Sequence, residues 1–242
     1  MPRQRVLVIA GAIAATVVGI VLLVVAVLPR EPEPPFATPV DAVPHSTVPV
    51  DYQVATLADA QWVDRVAEAT GIPRRVLAAY AGATIIAELE HPYCKLGWTT
   101  LAGVGWTESH HGTANGSSIG EDGVATPPIV GPELVGEGFS PQADSDGGAL
   151  DGDPLSDRAV GPLQFLPTTW AVHRSDGNRD GIFDPQNIDD AAAAAARYLC
   201  QAGDGDQHER EVWRAAVGAY NASDAYIADV AARANEYAEL AR

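Results

Sequence analysis

The sequence predicts a mainly α-helical domain, preceded by one membrane-spanning helix and carrying a long irregular insertion with at most a small β-hairpin. Three observations predict it. Apolar residues recur at helical spacing through successive windows, Gly and Pro punctuate those windows, and no segment alternates apolar and polar residues as a half-buried strand would. No internal repeat is present.

The spanning helix comes first. Val6 to Leu28 is 23 residues without a charge, Thr16 being the polar exception. As a helix this run covers about 34 Å, enough for the hydrocarbon core of a bilayer. It is longer than the roughly 7 to 15 apolar residues of a cleaved secretory signal, so it reads as an uncleaved anchor, with secretion the outcome if it is cut. Arg3 and Arg5 precede it and the far side is acidic beyond Arg30. That asymmetry places the N-terminus in the cytoplasm, so that residues 1–29 are the cytoplasmic end and the transmembrane anchor, and the remainder lies outside. Residues 30–55 are rich in proline, including Pro32, Pro34, Pro35, Pro39, Pro44 and Pro49, and read as an extended tether. The folded domain is then 56–242.

Within the domain, Thr56-Leu57-Ala58-Asp59 has capping-box spacing, Val63, Val66 and Ala67 follow on one face, and Gly71 ends the first helix. Pro73 suits the first turn of the second, whose stripe is Val76, Tyr80, Ala83 and Ala87, stopped by His91-Pro92. A third helix is predicted from Gly97 to His111. There Trp98, Leu101, Gly105 and Glu108 fall at i, i+3, i+7 and i+10, which puts one carboxylate on an apolar stripe. Gly112 to Asp157 shows no helical period and is rich in Gly, Pro, Asp and Ser, the irregular insertion. Helices resume at Thr168–His173 and Ile188–Cys200. Two more carry Trp213, Ala216, Val217 and Tyr220, then Tyr226, Val230 and Tyr237.

Charge and cysteine content narrow the function classes. Fifteen basic against 32 acidic residues give a formal charge of −17, with no basic stripe, which argues against nucleic acid as a partner. Cys94 and Cys200, an even count in an extracytoplasmic chain, predict a disulfide; two separate buried thiols are the alternative. No CxxC or Cys/His cluster points to zinc.

Glu108 is the chief candidate for chemistry. On an apolar helix face near a helix C-terminus, desolvation and the negative end of the dipole both disfavour its charged form. A carboxylic acid kept neutral near pH 7 suits protonation of a glycosidic oxygen. Periodicity alone leaves open a helix-end glutamate that reaches solvent. His110 and His111 are adjacent rather than at i and i+4, so they do not form an HExxH metal site. A second feature, Asp176-Gly177-Asn178-Arg179-Asp180-Gly181-Ile182, has the ligand spacing and turn glycine that open a calcium loop, although Asn187 stands where a bidentate Glu would close it.

Glu108-Ser109-His110-His111-Gly112 resembles the catalytic Glu-Ser-x-x-Gly motif of lytic murein transglycosylases. Gly161-Pro162-Leu163-Gln164-Phe165 is similar to their Gly-x-x-Gln-Phe motif, and Ala219-Tyr220-Asn221 to their third, in the same order. The flanks, Asp157 to Trp170 and Asp184 to Ala191, resemble the membrane-bound lytic transglycosylase B branch, especially its high-GC Gram-positive members. The resemblance spans roughly 57 to 240. It implies a lysozyme-like fold, peptidoglycan glycan strands as the partner, Glu108 as the sole acid/base, and substrate contacts from Ser109, Gln164, Tyr220, Asn221 and Tyr226. It also implies a longer calcium loop closed by Asp190, so that a structural Ca2+ would rest on Asp176, Asn178, Asp180, the Ile182 carbonyl and Asp190. The Asp-rich run from Asp144 to Asp157 offers a second carboxylate for a hydrolytic muramidase, or a further cation site, or a polar loop. Two noncatalytic alternatives stand beside the enzyme: a wall-binding scaffold and a calcium-dependent adhesion factor.

Overall fold

A computed structural model of the chain describes residues 34–133 and 142–242. The expected anchor lies outside the described residues, and among those described no helix is long and apolar enough to cross a membrane.

The described chain is mainly helical. Its helices are α1 (Ala60–Thr70), α2 (Arg74–Glu90), α3 (Trp98–Ser109), α4 (Pro167–His173), α5 (Ile188–Gly203), α6 (Arg210–Tyr220) and α7 (Asp224–Leu240). The strands are β1 (Ser118–Ile119) and β2 (Ala125–Thr126), paired antiparallel with Ser118 opposite Thr126. This is the small hairpin that the insertion was expected to allow.

Helix ends follow local chemistry. The Asp59 carboxylate accepts the Trp62 N–H at 2.8 Å and caps α1, while Gly71, at φ 72°, ends it in a conformation that costs glycine little. The helix is therefore capped by Asp59 alone, and the capping box expected from Thr56 does not form. Val54–Thr56 instead form a 3-10 turn whose Val54 is buried against α2. The Asn187 side chain caps α5 by accepting the Asp189 N–H at 2.9 Å.

Two helices are more deeply buried than a surface stripe requires. Every residue of α2 from Val76 to Ala87 is buried, and so is α3 from Trp98 to Gly105. A helix apolar on all sides belongs inside a core. Around them, α7 packs on α3 and α5 packs on α2. The run Ala191 to Ala196 makes α5 slim, which lets its neighbours approach closely.

The proline-rich segment departs from its expected role as a free tether. From Pro35 onward it lies against the domain, with Ala37 and Val43 buried and Phe36 meeting the Trp213 ring edge-on at 5.8 Å. The Thr38 N–H donates to Asn235 Oδ1 at 2.7 Å, Asn235 Nδ2 donates to the Phe36 carbonyl at 2.9 Å, and the Asp59 N–H donates to the Pro44 carbonyl at 2.8 Å. Proline keeps this strap extended, and a few small apolar side chains suffice to dock it on α6 and α7.

Two long-range ties fix the rest. Cys94 and Cys200 form the expected disulfide, with Cα atoms 5.4 Å apart across 106 positions. Arg75 of α2 makes a two-pronged pair with the buried Asp189 of α5, both N···O distances being 2.7 Å, and its Nε donates to the Glu121 carbonyl at 3.0 Å. One guanidinium thus joins two core helices to the hairpin loop.

Candidate active site

Glu108 sits in the last turn of α3, half-buried, one turn beyond Gly105. The position of α3 is set by close packing. A Cβ on Gly105 would lie 1.9 Å from Tyr80 Oη, so only glycine lets the Tyr80 phenol run under the helix here. Beyond Glu108 the chain leaves the helix through His110 and His111, both with positive φ, and the Gly112 N–H returns to Ser109 Oγ at 2.8 Å.

Glu108 is bonded to Tyr226 of α7, and its charge reaches Tyr220 at the end of α6. Tyr226, in the first turn of α7, donates its hydroxyl to Glu108 Oε1 at 2.6 Å. Burial pushes the Glu108 carboxyl up to about 7, and the Tyr226 hydrogen bond pulls against that rise by favouring the charged form. Burial, and then the Glu108 charge, hold Tyr226 far above the usual phenol range. Tyr220 is raised for the same reasons in the same order, so the carboxyl is the group among these three that titrates near neutrality.

The turn Gly161–Phe165 is closed by reciprocal bonds between Val160 and Phe165, at 2.9 and 3.0 Å. Gly161 has φ 77°, and a Cβ on it would lie 1.8 Å from the Pro185 carbonyl oxygen, so this position demands glycine. The turn is bonded to the helices on both sides of the site. Ser109 Oγ donates to the Pro162 carbonyl at 2.5 Å, and Tyr220 Oη donates to the Leu163 carbonyl at 2.8 Å. Tyr220 is further held between Phe165 and Tyr198, with ring centroids at 5.7 and 5.5 Å.

The expected site residues therefore fall into three groups. Glu108 and Tyr226 are in direct contact, and Tyr220 feels the Glu108 charge. Ser109 is buried and its hydroxyl is committed to the turn, so the structure gives it a positioning role rather than the expected substrate contact. Gln164, at φ 48°, donates Nε2 to the Gly161 carbonyl at 2.9 Å and rests its Oε1 beside Gly131. Asn221 follows α6 as an exposed residue whose Oδ1 accepts the Ser223 N–H at 3.0 Å.

Two supports were not anticipated. Tyr198 lies off the apolar stripe of α5, and that off-stripe aromatic was the available signal. His111 is buried between Tyr80 Oη, 3.3 Å from Nδ1, and Tyr237 Oη, 2.8 Å from Nε2. Burial pulls it down to about 3, with the His110 and Arg233 charges adding to the fall, so it stays neutral behind the site.

The acidic loops divide differently from expectation. Asp176 accepts the Asp180 and Gly181 N–H groups, each at 3.1 Å, and Asp180 Oδ1 accepts the Ile182 N–H at 2.7 Å. Asn178 Nδ2 donates to Asp180 Oδ2 at 2.9 Å. Asp190, buried at the start of α5, accepts the Gly177 N–H at 2.7 Å and the Asp184 N–H at 2.9 Å, and burial pushes it up to about 6. Among the described residues, the acidic group whose oxygens meet within 4.8 Å is a different one, Asp144, Asp146 and Asp157. Asp157 there accepts Ser145 N–H and Oγ–H at 2.9 and 2.6 Å, and Asp144 accepts backbone N–H groups of its own turn.

Chemically, the site offers one carboxyl able to hold or release a proton near neutral pH, beside phenols that stay protonated. No family model, curated protein or solved structure matches this chain.

Proposed function

We propose that the chain is a lytic transglycosylase of peptidoglycan, cleaving the bond between N-acetylmuramic acid and N-acetylglucosamine and leaving a 1,6-anhydromuramyl end. The observation that carries this reading is the half-buried Glu108, held by Tyr226 at 2.6 Å and raised to about 7, in a segment whose motifs resemble that family's.

Glu108, protonated, donates to the bridging oxygen as the bond to the muramyl C1 breaks and positive charge develops on the ring. The carboxylate left behind is stabilised by the Tyr226 hydroxyl and faces that charge. It then accepts the proton of the sugar's own C6 hydroxyl, whose oxygen closes on C1, so Glu108 ends protonated and no water is consumed. Because nucleophile and electrophile share one ring, a single carboxyl suffices where most glycosidases use two. Tyr220, whose hydroxyl is tied to the Leu163 carbonyl, walls the site, and Gln164 and Asn221 supply amides of the kind that bind acetamido groups.

The loop at Asp176, Asn178, Asp180, Ile182 and Asp190 offers Ca2+ an all-oxygen donor set that the ion would have to draw together, since the oxygens of Asp176, Asp180 and Asp190 do not meet within 4.8 Å. When bound it would tie the loop to α5 and take no part in the chemical step. Calcium should raise the unfolding temperature of the chain, chelation should reverse this, and Asp176→Ala with Asp180→Ala should abolish the response. A calcium-independent midpoint would remove the ion from this reading. The reading also places the domain outside the cytoplasm on a membrane anchor.

Glu108→Gln is the decisive variant. Incubated with purified cell wall, the full chain should release anhydromuramyl fragments, identified by mass spectrometry. The variant should lose on the order of 100- to 10,000-fold in rate while keeping its fold. Reducing ends on the released fragments would make the protein a hydrolytic muramidase. Wall binding without release, unchanged in the variant, would make it a scaffold.

A further inference from the structure

Beside α2 and α5 lies a cavity of about 230 Å3 that the glycan reading does not use. Three arginines line it: Arg174 after α4, Arg179 in the Asp176 loop and Arg197 of α5. In a chain with 32 acidic and 15 basic residues, each guanidinium has carboxylates to spare for pairing. None of these three is in an ion pair or a side-chain hydrogen bond among the described residues. Arg179 instead lies over the Tyr52 ring at 4.2 Å and Arg174 over the Phe183 ring at 4.9 Å. Such stacking aligns the planar group while leaving its N–H donors at the edge free.

Two carboxylates share the lining. Asp176 has both oxygens turned to loop N–H groups, and Glu90 is exposed at the end of α2. The net lining is cationic, in a protein that is otherwise strongly acidic. Exposed apolar residues stand next to the lining along the chain. Val172 and Ile182 are 71% and 62% exposed, and Phe183 and Leu89 are exposed too, each within two residues of a lining position. A free anion would need the guanidiniums alone. Cationic side chains ringed by exposed aliphatic and aromatic ones match a phosphate at the edge of a lipid layer, where charge and apolar contact are satisfied together.

We propose that this pocket binds the phosphate of anionic phospholipid headgroups, with Arg174, Arg179 and Arg197 as ligands and Val172, Ile182 and Phe183 entering the interface. The domain would then lie on the bilayer by its own surface as well as through any anchor.

The test uses the full chain in nanodiscs of phosphatidylcholine alone or mixed with phosphatidylglycerol, and reads backbone hydrogen exchange across residues 172–183. Phosphatidylglycerol should slow exchange there on the order of tenfold, and Arg174→Gln with Arg179→Gln and Arg197→Gln should remove the effect while leaving α3 amides unchanged. If that triple variant unfolds, Arg174→Gln alone, on an exposed side chain, should show the same loss at smaller amplitude. Equal protection in both lipids, or protection that survives the substitutions, would overturn the proposal. So would protection produced by inorganic phosphate in neutral discs with none from phosphatidylglycerol, which would make the pocket a free-anion site. No glycan enters the measurement, so its failure leaves the role of Glu108 untouched.

Discussion

At the residue scale, the proposed chemistry turns on one proton. The Glu108 carboxyl is raised to about 7 by burial, and Tyr226 restrains that rise. As the proposed general acid, Glu108 works while protonated, so activity should fall as pH rises through about 7. Tyr226→Phe removes a donor that favours the charged form. The remaining carboxyl should hold its proton to higher pH, and the alkaline limb of the kcat/KM profile should move upward while maximal activity falls. A profile that stays in place or moves down would show that the Tyr226 hydroxyl does not govern this proton. The sequence placed Glu108 on an apolar face and so made its raised value legible. It did not reveal Ser109 as a buried tie, because a serine after such a glutamate reads the same whether its hydroxyl meets a ligand or the Pro162 carbonyl.

At the scale of elements, the site is held by close approach rather than by bulk. Gly105→Ala would drive a methyl into the Tyr80 hydroxyl and to within 3.3 Å of Leu163 Cδ2. Tyr80 is buried and bonded to His111, so it cannot swing away. The variant should lose about 1–3 kcal/mol of stability from overpacking, less up to about 1 kcal/mol returned by helix propensity. Activity should fall with it, because α3 carries Glu108. Denaturant unfolding and wall-release assays check both, and an alanine variant of full stability would show that Tyr80 can yield. Helices α1 to α7 were legible because their apolar periods and their Gly and Pro stops are local. The strap was not, since docking an extended proline-rich segment depends on grooves formed by α6 and α7, distant in sequence. The same holds for the Asp144, Asp146 and Asp157 grouping, which needs the turn at Gly147-Gly148 to bring its ends together.

Over the whole molecule, the disulfide is the long-range constraint that the cysteine count foretold. Joining positions 106 apart limits the unfolded chain, and Cys94→Ser with Cys200→Ser should cost on the order of 4–5 kcal/mol in the chain-entropy picture. A reduced protein with an unchanged unfolding midpoint would contradict this. The bond has a further consequence for durability. It closes the backbone into a covalent hoop from Cys94 to Cys200 that contains both Glu108 and Gln164, with Tyr220 and Tyr226 on the tail that follows. An endoprotease that severs one peptide bond anywhere inside the hoop leaves a single molecule still bearing every one of these side chains. A chain nicked in this way would run on a denaturing gel as one band until a thiol is added, and as two afterwards.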